Sequence, residues 1–394
     1  MRTGLKGMST LAVHAGEERH GRAGSLTTDI AQTSVFILPK VEDLRRIVTG
    51  KSPGYYYTRN GNPTTAAAEA KIAALEGAAS GVVTASGTAA ILCAVLATCA
   101  AGDEIVSMLD IYGGTVKLFE DVLGRLGIKT RFVPYKEMPR LERYCSRKTK
   151  LIFVETPTNP TLRCVELRPI ADAAKKCGAL VLVDNTFATP MLQRPLEHGC
   201  DIVMHSATKY LGGHSDLTAG AVVARDAALV EKMREMSVGT GGTPDPGACY
   251  LLLRGLKTLE LRVERACANA HKVAAALRRH PKVARVMYPG LRENEGHNVA
   301  RRQMSDYGMM LSIEVRGGGK AAERFIDGLK LWYFATSFGG VESTVSYPIL
   351  SSHVNFSKPR LKLLDVGPAT VRLSVGIEDV RDLISDLNQS LNQA

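Results

Sequence analysis

Between residues 64 and 250 two hydrophobic rhythms alternate along the chain. Short unbroken apolar runs occur at Val82-Val83-Thr84, Glu104–Met108, Leu151–Glu155, Ala179–Val183, Ile202-Val203-Met204 and Ala221–Ala224. Between some of them the spacing is helical, as from Thr65 to Leu75 and at Ile91, Leu92, Val95 and Leu96. A strand buried on both faces has no polar side, so it reads as a continuous apolar run. The pattern predicts an α/β unit over 61–250: a mostly parallel sheet covered by helices on both faces.

The flanks read differently. Residues 1–60 are rich in Gly, Ser and Thr and show helical spacing only at Val41–Ile47. They predict an extended arm that needs a surface to lie on, such as a neighbouring subunit. Past residue 250, Leu252, Leu256, Leu259 and Val263 predict one long helix leading into a smaller α+β domain over 251–394. Met310–Val315 and Thr370–Val375 read as strands there, and Leu383–Leu391 as a closing helix.

Composition narrows the class. The chain has 394 residues, 45% hydrophobic and 23% charged, which is ordinary for a folded globular protein. It has no apolar run of membrane-spanning length. Met1–Gly16 lacks the apolar segment of a signal peptide. Eight cysteines are scattered with no C-x-x-C pair, which predicts reduced thiols in a cytoplasmic protein and no metal framework. The net charge of +11 is spread along the chain, so we expect small anionic ligands and neither nucleic acid nor membrane as partner.

Candidate chemistry sits in the loops after the strands, all at the C-terminal edge of one sheet, where open α/β sheets bind ligands. Ser206-Ala207-Thr208-Lys209-Tyr210 places a lysine between two hydroxyls just past an apolar run. Hydroxyls hold phosphate and an amine forms an imine, so the stretch suits a phosphorylated carbonyl cofactor; a plain surface lysine would give the same letter. Ala85-Ser86-Gly87-Thr88 opens a helix whose first N–H groups make an anion site. Asp184 is a helix cap or a carboxylate held against a buried cation, such as a protonated pyridine. Tyr112 follows another strand. Tyr57 and Arg59, in the arm, form a packed aromatic turn or a contact surface for an anion.

These segments closely resemble the Cys/Met-metabolism, or trans-sulfuration, family of pyridoxal phosphate enzymes. The resemblance runs from Val13-His14-Ala15-Gly16 to Val375–Asp379. It is carried by Tyr57–Thr64, Glu155–Pro160, Asp184–Phe187, Ser206–Tyr210 with His214-Ser215-Asp216, and Arg372-Leu373-Ser374. It implies the fold type I transferase fold, with a seven-stranded sheet and a smaller C-terminal domain, and a tetramer built from two active dimers. It implies that Lys209 carries the cofactor and shuttles protons, that Asp184 pairs with the ring nitrogen, and that Tyr112 stacks on the ring and assists proton transfer as a second catalytic residue. Ser206, Thr208, Gly87 and Thr88 would hold the phosphate, with Thr186 also in the cofactor site. Tyr57 and Arg59 would reach that phosphate from the neighbouring subunit. Asn159, Ser337 and Arg372 would orient the substrate, Arg372 gripping its α-carboxylate.

The member is less sharply marked. Thr336 stands where many γ-synthases and γ-lyases of the family carry glutamate, and Gly114 where methionine γ-lyases carry a reactive cysteine. Glu342–Pro348 looks more like a lyase, and Ser337-Phe338-Gly339-Gly340 also resembles plant-type γ-synthases. The expectation is a lyase that splits the C–S bond of cystathionine or a related sulfur amino acid by β- or γ-elimination. The alternative is γ-replacement on O-acyl-homoserine by a cystathionine γ-synthase or sulfhydrylase. An aminotransferase, or a regulatory or nucleic-acid-binding protein on the same fold, are the readings from other classes.

Overall fold

The computed structural model describes residues 7–17 and 24–394. The apolar runs become strands of one sheet: β1 (Ser80–Thr84), β2 (Glu104–Met108), β3 (Lys129–Val133), β4 (Thr149–Glu155), β5 (Leu180–Asp184), β6 (Ile202–His205) and β7 (Gly220–Ala224). Their spatial order is β1-β7-β6-β5-β4-β2-β3. Strands β3, β2, β4, β5 and β6 run parallel, and β7 is antiparallel to both neighbours. Every residue of β6 and β7 is buried, which is why they read as unbroken runs.

Strand β3 was not expected from the pattern. It is an edge strand whose Lys129 and Arg131 face solvent while Val133 is buried. One wet face and a charged edge leave no continuous run to detect.

A second sheet follows: β8 (Val283–Met287), β9 (Met310–Val315), β10 (Tyr333–Phe334), β11 (Thr344–Ser346) and β12 (Thr370–Ser374), in the order β10-β11-β12-β9-β8. All pairs are antiparallel except β10 with β11. Helix Val380–Gln393 packs on both Leu259–Arg278 and Gly319–Asp327, which in turn pack on this sheet. Its core, from Leu277 through Phe325 and Trp332 to Leu387, is distinct from those of the large sheet.

The single long helix expected around Leu252–Val263 is in fact two, Pro246–Leu256 and Leu259–Arg278. All four apolar positions are buried, so the spacing was read correctly and the continuity was not. The break has a tertiary cause. Arg262 turns back to donate to Gly255 O at 2.7 Å and to Tyr210 O at 2.8 Å. Gly255 packs so closely on the turn after Lys209 that a Cβ would lie 2.2 Å from Gly212 O.

The arm also departs from expectation. Met8–His14 is a helix, and it packs on helices Pro63–Glu76 and Leu259–Arg278 of its own chain. Fully buried Lys71 fastens it, donating to Ala12 O at 2.9 Å, Val13 O at 3.0 Å and Glu17 Oε1 at 2.5 Å. Gly16 adopts φ +74°, and a Cβ there would meet Ala67 O at 2.3 Å, so the tight exit admits only glycine. Arm residues 1–6 and 18–23 lie outside the described residues. From residue 24 the arm is mostly extended, and its helix Val41–Val48 buries none of its side chains. Leu26 and Ile37 are almost fully exposed.

Candidate active site

The C-terminal ends of β2, β4, β5 and β6 deliver their loops to one cavity of about 470 Å³. That volume is within the ~300–1,000 Å³ range of small-molecule sites. Gly87, Thr88, Tyr112, Asn159, Asp184, Thr186, Ser206, Thr208, Lys209, Ser337 and Arg372 all line it. Tyr57 and Arg59 do not. They stack on each other at 5.3 Å on a different part of the surface, with Tyr57 bridged to Val35.

Lys209 sits in a turn pinned at both ends. Its N–H donates to Ser206 O at 3.1 Å, and its carbonyl accepts from Gly213 N–H at 2.8 Å. Its Nζ donates to Ser337 Oγ at 2.5 Å and lies 5.1 Å from the centre of the Phe338 ring. Burial, reinforced by the Arg372 charge and opposed by Asp184, lowers the amine to about 8. Ser337 holds a left-handed backbone, φ +85°, uncommon for a residue with a side chain.

Arg372 comes from the other sheet, at the middle of β12 between Ser346 and Ser312. It donates to Asn159 Oδ1 at 2.8 Å and to Ser337 O at 3.3 Å. Its Nε is buried and unpartnered. Phe338 lies between the two cations, 5.1 Å from the Arg372 guanidinium, and packs edge-on against Phe187 at 4.7 Å. The sequence marked Phe338 only as part of a motif. Its place between Lys209 and Arg372 left no local signal.

Asp184 ends β5. It accepts from Thr186 N–H at 3.0 Å and from the Thr186 hydroxyl, whose oxygen accepts from Ser206 N–H at 2.9 Å. Thr186 thus ties the aspartate to the lysine turn. Burial raises the Asp184 carboxyl, while Thr186, His205 and Lys209 favour its ionised form. Directly opposite, on β4, stands Glu155, which accepts from Tyr112 N–H at 2.8 Å. Burial first, then the charge of Asp184, raises Glu155 well above the usual carboxylate range. Two adjacent carboxylates in one dry site do not both ionise readily. We therefore take Glu155 as the neutral member and Asp184 as the charged one. The sequence marked Glu155 only as the first residue of Glu155–Pro160, without a role in the site, since its pairing with Asp184 is set by strand register. Beneath it a buried network runs from His205 to Glu76 at 2.6 Å and from Asn185 to Glu76 at 2.9 Å.

The hydroxyls expected around an anion divide. Gly87 and Thr88 open the helix Gly87–Thr98, capped by Ser86 Oγ on Ala89 N–H at 3.2 Å. A Cβ on Gly87 would fall 2.8 Å from the Ser206 Cβ and 3.1 Å from its Oγ, so only glycine lets the Ser206 hydroxyl and the helix N-terminus share this corner. Thr208 is committed elsewhere. Its hydroxyl accepts from Ala219 N–H at 3.0 Å and donates to Ala219 O at 3.2 Å, pinning the lysine turn to the strand beyond. Thr208 also lines the cavity.

This donor set fits pyridoxal phosphate. An anion corner at Gly87, Thr88 and Ser206, an amine lowered to about 8, a carboxylate at Asp184 and the Arg372 guanidinium, whose Nε has no partner, line one cavity.

Comparison with known proteins agrees. The family described as Cys/Met metabolism PLP-dependent enzyme matches residues 9–392. The chain is 41% identical to cystathionine gamma-lyase of Bacillus subtilis, over 97% of this chain and 98% of that protein. It is 40% identical to L-methionine gamma-lyase of Fusobacterium nucleatum subsp. polymorphum over the whole of both chains. The structure of cystathionine gamma synthase from Xanthomonas oryzae pv. oryzae in complex with cystathionine superposes with a TM-score of 0.93 at 38% identity, covering 99% of this chain and 98% of that one. The chain is a fold type I enzyme of the pyridoxal-phosphate-dependent Cys/Met-metabolism family.

Proposed function

We propose that this enzyme cleaves the C–S bond of cystathionine or a related sulfur amino acid by elimination. The carrying observation is the Lys209 amine, lowered to about 8 and hydrogen-bonded to Ser337, on the same wall as the Arg372–Asn159 pair. Bound pyridoxal phosphate supplies the electron sink that makes a substrate Cα proton removable.

The protein's own residues do the rest. Arg372, steadied by Asn159, receives the α-carboxylate through its planar fork. That fixes Cα beside Lys209 Nζ, which takes the proton there and can return it at the neighbouring carbon. Asp184, its ionised form favoured by Thr186, would pair with the cofactor's ring nitrogen. Gly87, Thr88 and Ser206 would hold its phosphate, and Tyr112 would cover the ring. Thr208 serves by shaping the lysine turn.

The rest of the lining supports a second reading. Thr115, Thr336, Ser351 and Ser352 add uncharged hydroxyls to the cavity. Uncharged hydroxyls suit an O-acyl ester, hence γ-replacement on O-acyl-homoserine. Incubation of the purified enzyme with cystathionine separates the readings by product. Cysteine means γ-lyase and homocysteine means β-lyase. No product until O-acyl-homoserine and cysteine are supplied overturns the lyase reading in favour of the synthase.

The exposed apolar arm supports a homotetramer of two active dimers, with Tyr57 and Arg59 completing the neighbour's phosphate site. All eight cysteines are free, which suits a reducing compartment, and we place the enzyme in the cytoplasm. Among the described residues no helix is long and apolar enough to cross a membrane.

A further inference from the structure

Lys209 follows β6 of the large sheet, and Arg372 lies on β12 of the small one. One stretch, Ser337-Phe338-Gly339, touches both. Lys209 Nζ donates to Ser337 Oγ at 2.5 Å, and Arg372 donates to Ser337 O at 3.3 Å. The centre of the Phe338 ring is 5.1 Å from the Lys209 amine and 5.1 Å from the Arg372 guanidinium. All three side chains line the cavity. Two cations flanking one ring in a dry site repel each other, so something else has to hold their separation.

The stretch is fastened at both sides. Ser337 and Gly339 hold φ +85° and +86°, so the chain turns sharply before and after Phe338. Gly339 N–H donates at 3.1 Å to the hydroxyl of Ser374, two residues along β12 from Arg372. Opposite, a Cβ on Gly339 would lie 2.7 Å from Tyr210 N and 3.2 Å from Lys209 Cα, so the stretch is seated directly on the lysine turn. The Phe338 ring is half-buried. It packs edge-on against Phe187 at 4.7 Å and at a tilt against Tyr210 at 5.8 Å, both members of one core of the large domain.

We propose that Phe338 is a positioning residue, an apolar spacer that fixes the distance between Lys209 Nζ and the Arg372 guanidinium and keeps water from between them. The role rests on the reading of Arg372 as the α-carboxylate site and Lys209 as the proton acceptor at Cα.

In an amino acid the carboxyl carbon is bonded directly to Cα. The group that grips the one and the group that deprotonates the other must therefore be in register, and a misplacement of about 1 Å costs on the order of 100-fold in rate. Both cations lie within the ~6 Å at which a ring face attracts them, which steadies each without a hydrogen bond to the spacer. The charged groups facing the amine are Arg372 and Asp184, and a change at Phe338 leaves both in place. Water admitted beside a buried amine restores part of its ordinary proton affinity.

The test follows exchange of the L-alanine Cα proton in deuterated buffer by NMR, with the cofactor-loaded enzyme. Alanine has no leaving group, so exchange reads proton transfer whatever the natural substrate loses. Phe338→Ala should lower the exchange rate at saturating alanine by about tenfold or more, with the half-saturating concentration nearly unchanged. Phe338→Leu, which keeps most of the apolar bulk, should recover most of the rate. Phe338→Val should fall between them, and it replaces the alanine variant if that chain does not fold. Cofactor-free Phe338→Ala should also take up pyridoxal phosphate at a rate that levels off at higher pH than the wild type. A saturated rate that does not follow side-chain size, or an unmoved pH profile, overturns the spacer. A wild-type enzyme that leaves the Cα proton in place overturns the reading of Lys209 itself, and this role with it.

Discussion

Lys209 shows how much a single residue owes to its neighbours. Its usual value is near 10.5, and burial and Arg372 bring it to about 8 against the pull of Asp184. Only the neutral amine attacks a carbonyl, and its fraction falls tenfold for each pH unit below the pKa. The rate at which cofactor-free enzyme takes up pyridoxal phosphate should therefore rise with pH and level off near 8. Stopped-flow absorbance measures it, and a rate still climbing through pH 10 would refute the lowered value. Ser206–Tyr210 is what singles out Lys209 as the proposed reactive lysine. Its acidity is not legible there, because burial is a property of the whole fold and Arg372 approaches from the other sheet.

Among elements, the start of helix Gly87–Thr98 is the sharpest case. A strand, small residues and a helix N-terminus are legible as an anion corner. The sequence does not say that Gly87 touches Ser206. With its Cβ 2.8 Å from the Ser206 Cβ, Gly87→Ala must displace one of the two elements. Overpacking of this kind costs about 1–3 kcal/mol. We expect cofactor affinity to fall by about tenfold or more, with the fold retained. Equilibrium dialysis against pyridoxal phosphate, beside a circular dichroism spectrum, checks both halves. Unchanged affinity would mean that Ser206 does not share the corner. Elsewhere, β3 escaped notice because an edge strand lacks a continuous apolar run, and the expected long helix broke because Arg262 reaches a carbonyl on a distant turn.

At the scale of the molecule, the site belongs to two sheets. The large one supplies Lys209, Asp184 and Glu155, and the small one supplies Arg372. The arm is the part that one chain leaves unfinished, with Leu26 97% and Ile37 98% exposed and Tyr57 and Arg59 outside their own chain's cavity. If Arg59 completes a neighbour's site, two inactive variants should rescue each other. Lys209→Ala chains and Arg59→Ala chains, each nearly inactive alone, should regain activity when unfolded and refolded together. A hybrid then holds one site with both wild-type residues. Mixtures no more active than the separate variants would place Arg59 outside the site.

The sequence by itself determined the class, the alternation of elements, the family and the loops that carry the chemistry. Burial on both faces imposes unbroken apolar runs, and parallel strands bring their following loops to one edge, so these features are local in the chain. Tertiary structure alone decided that Thr208 spends its hydroxyl on Ala219, that Phe338 lies between Lys209 and Arg372, and that Glu155 faces Asp184. It also docked the first helix on Lys71. Proton affinity and hydrogen-bond partners are set by atoms a few ångströms away, and here those atoms belong to residues far apart in the sequence.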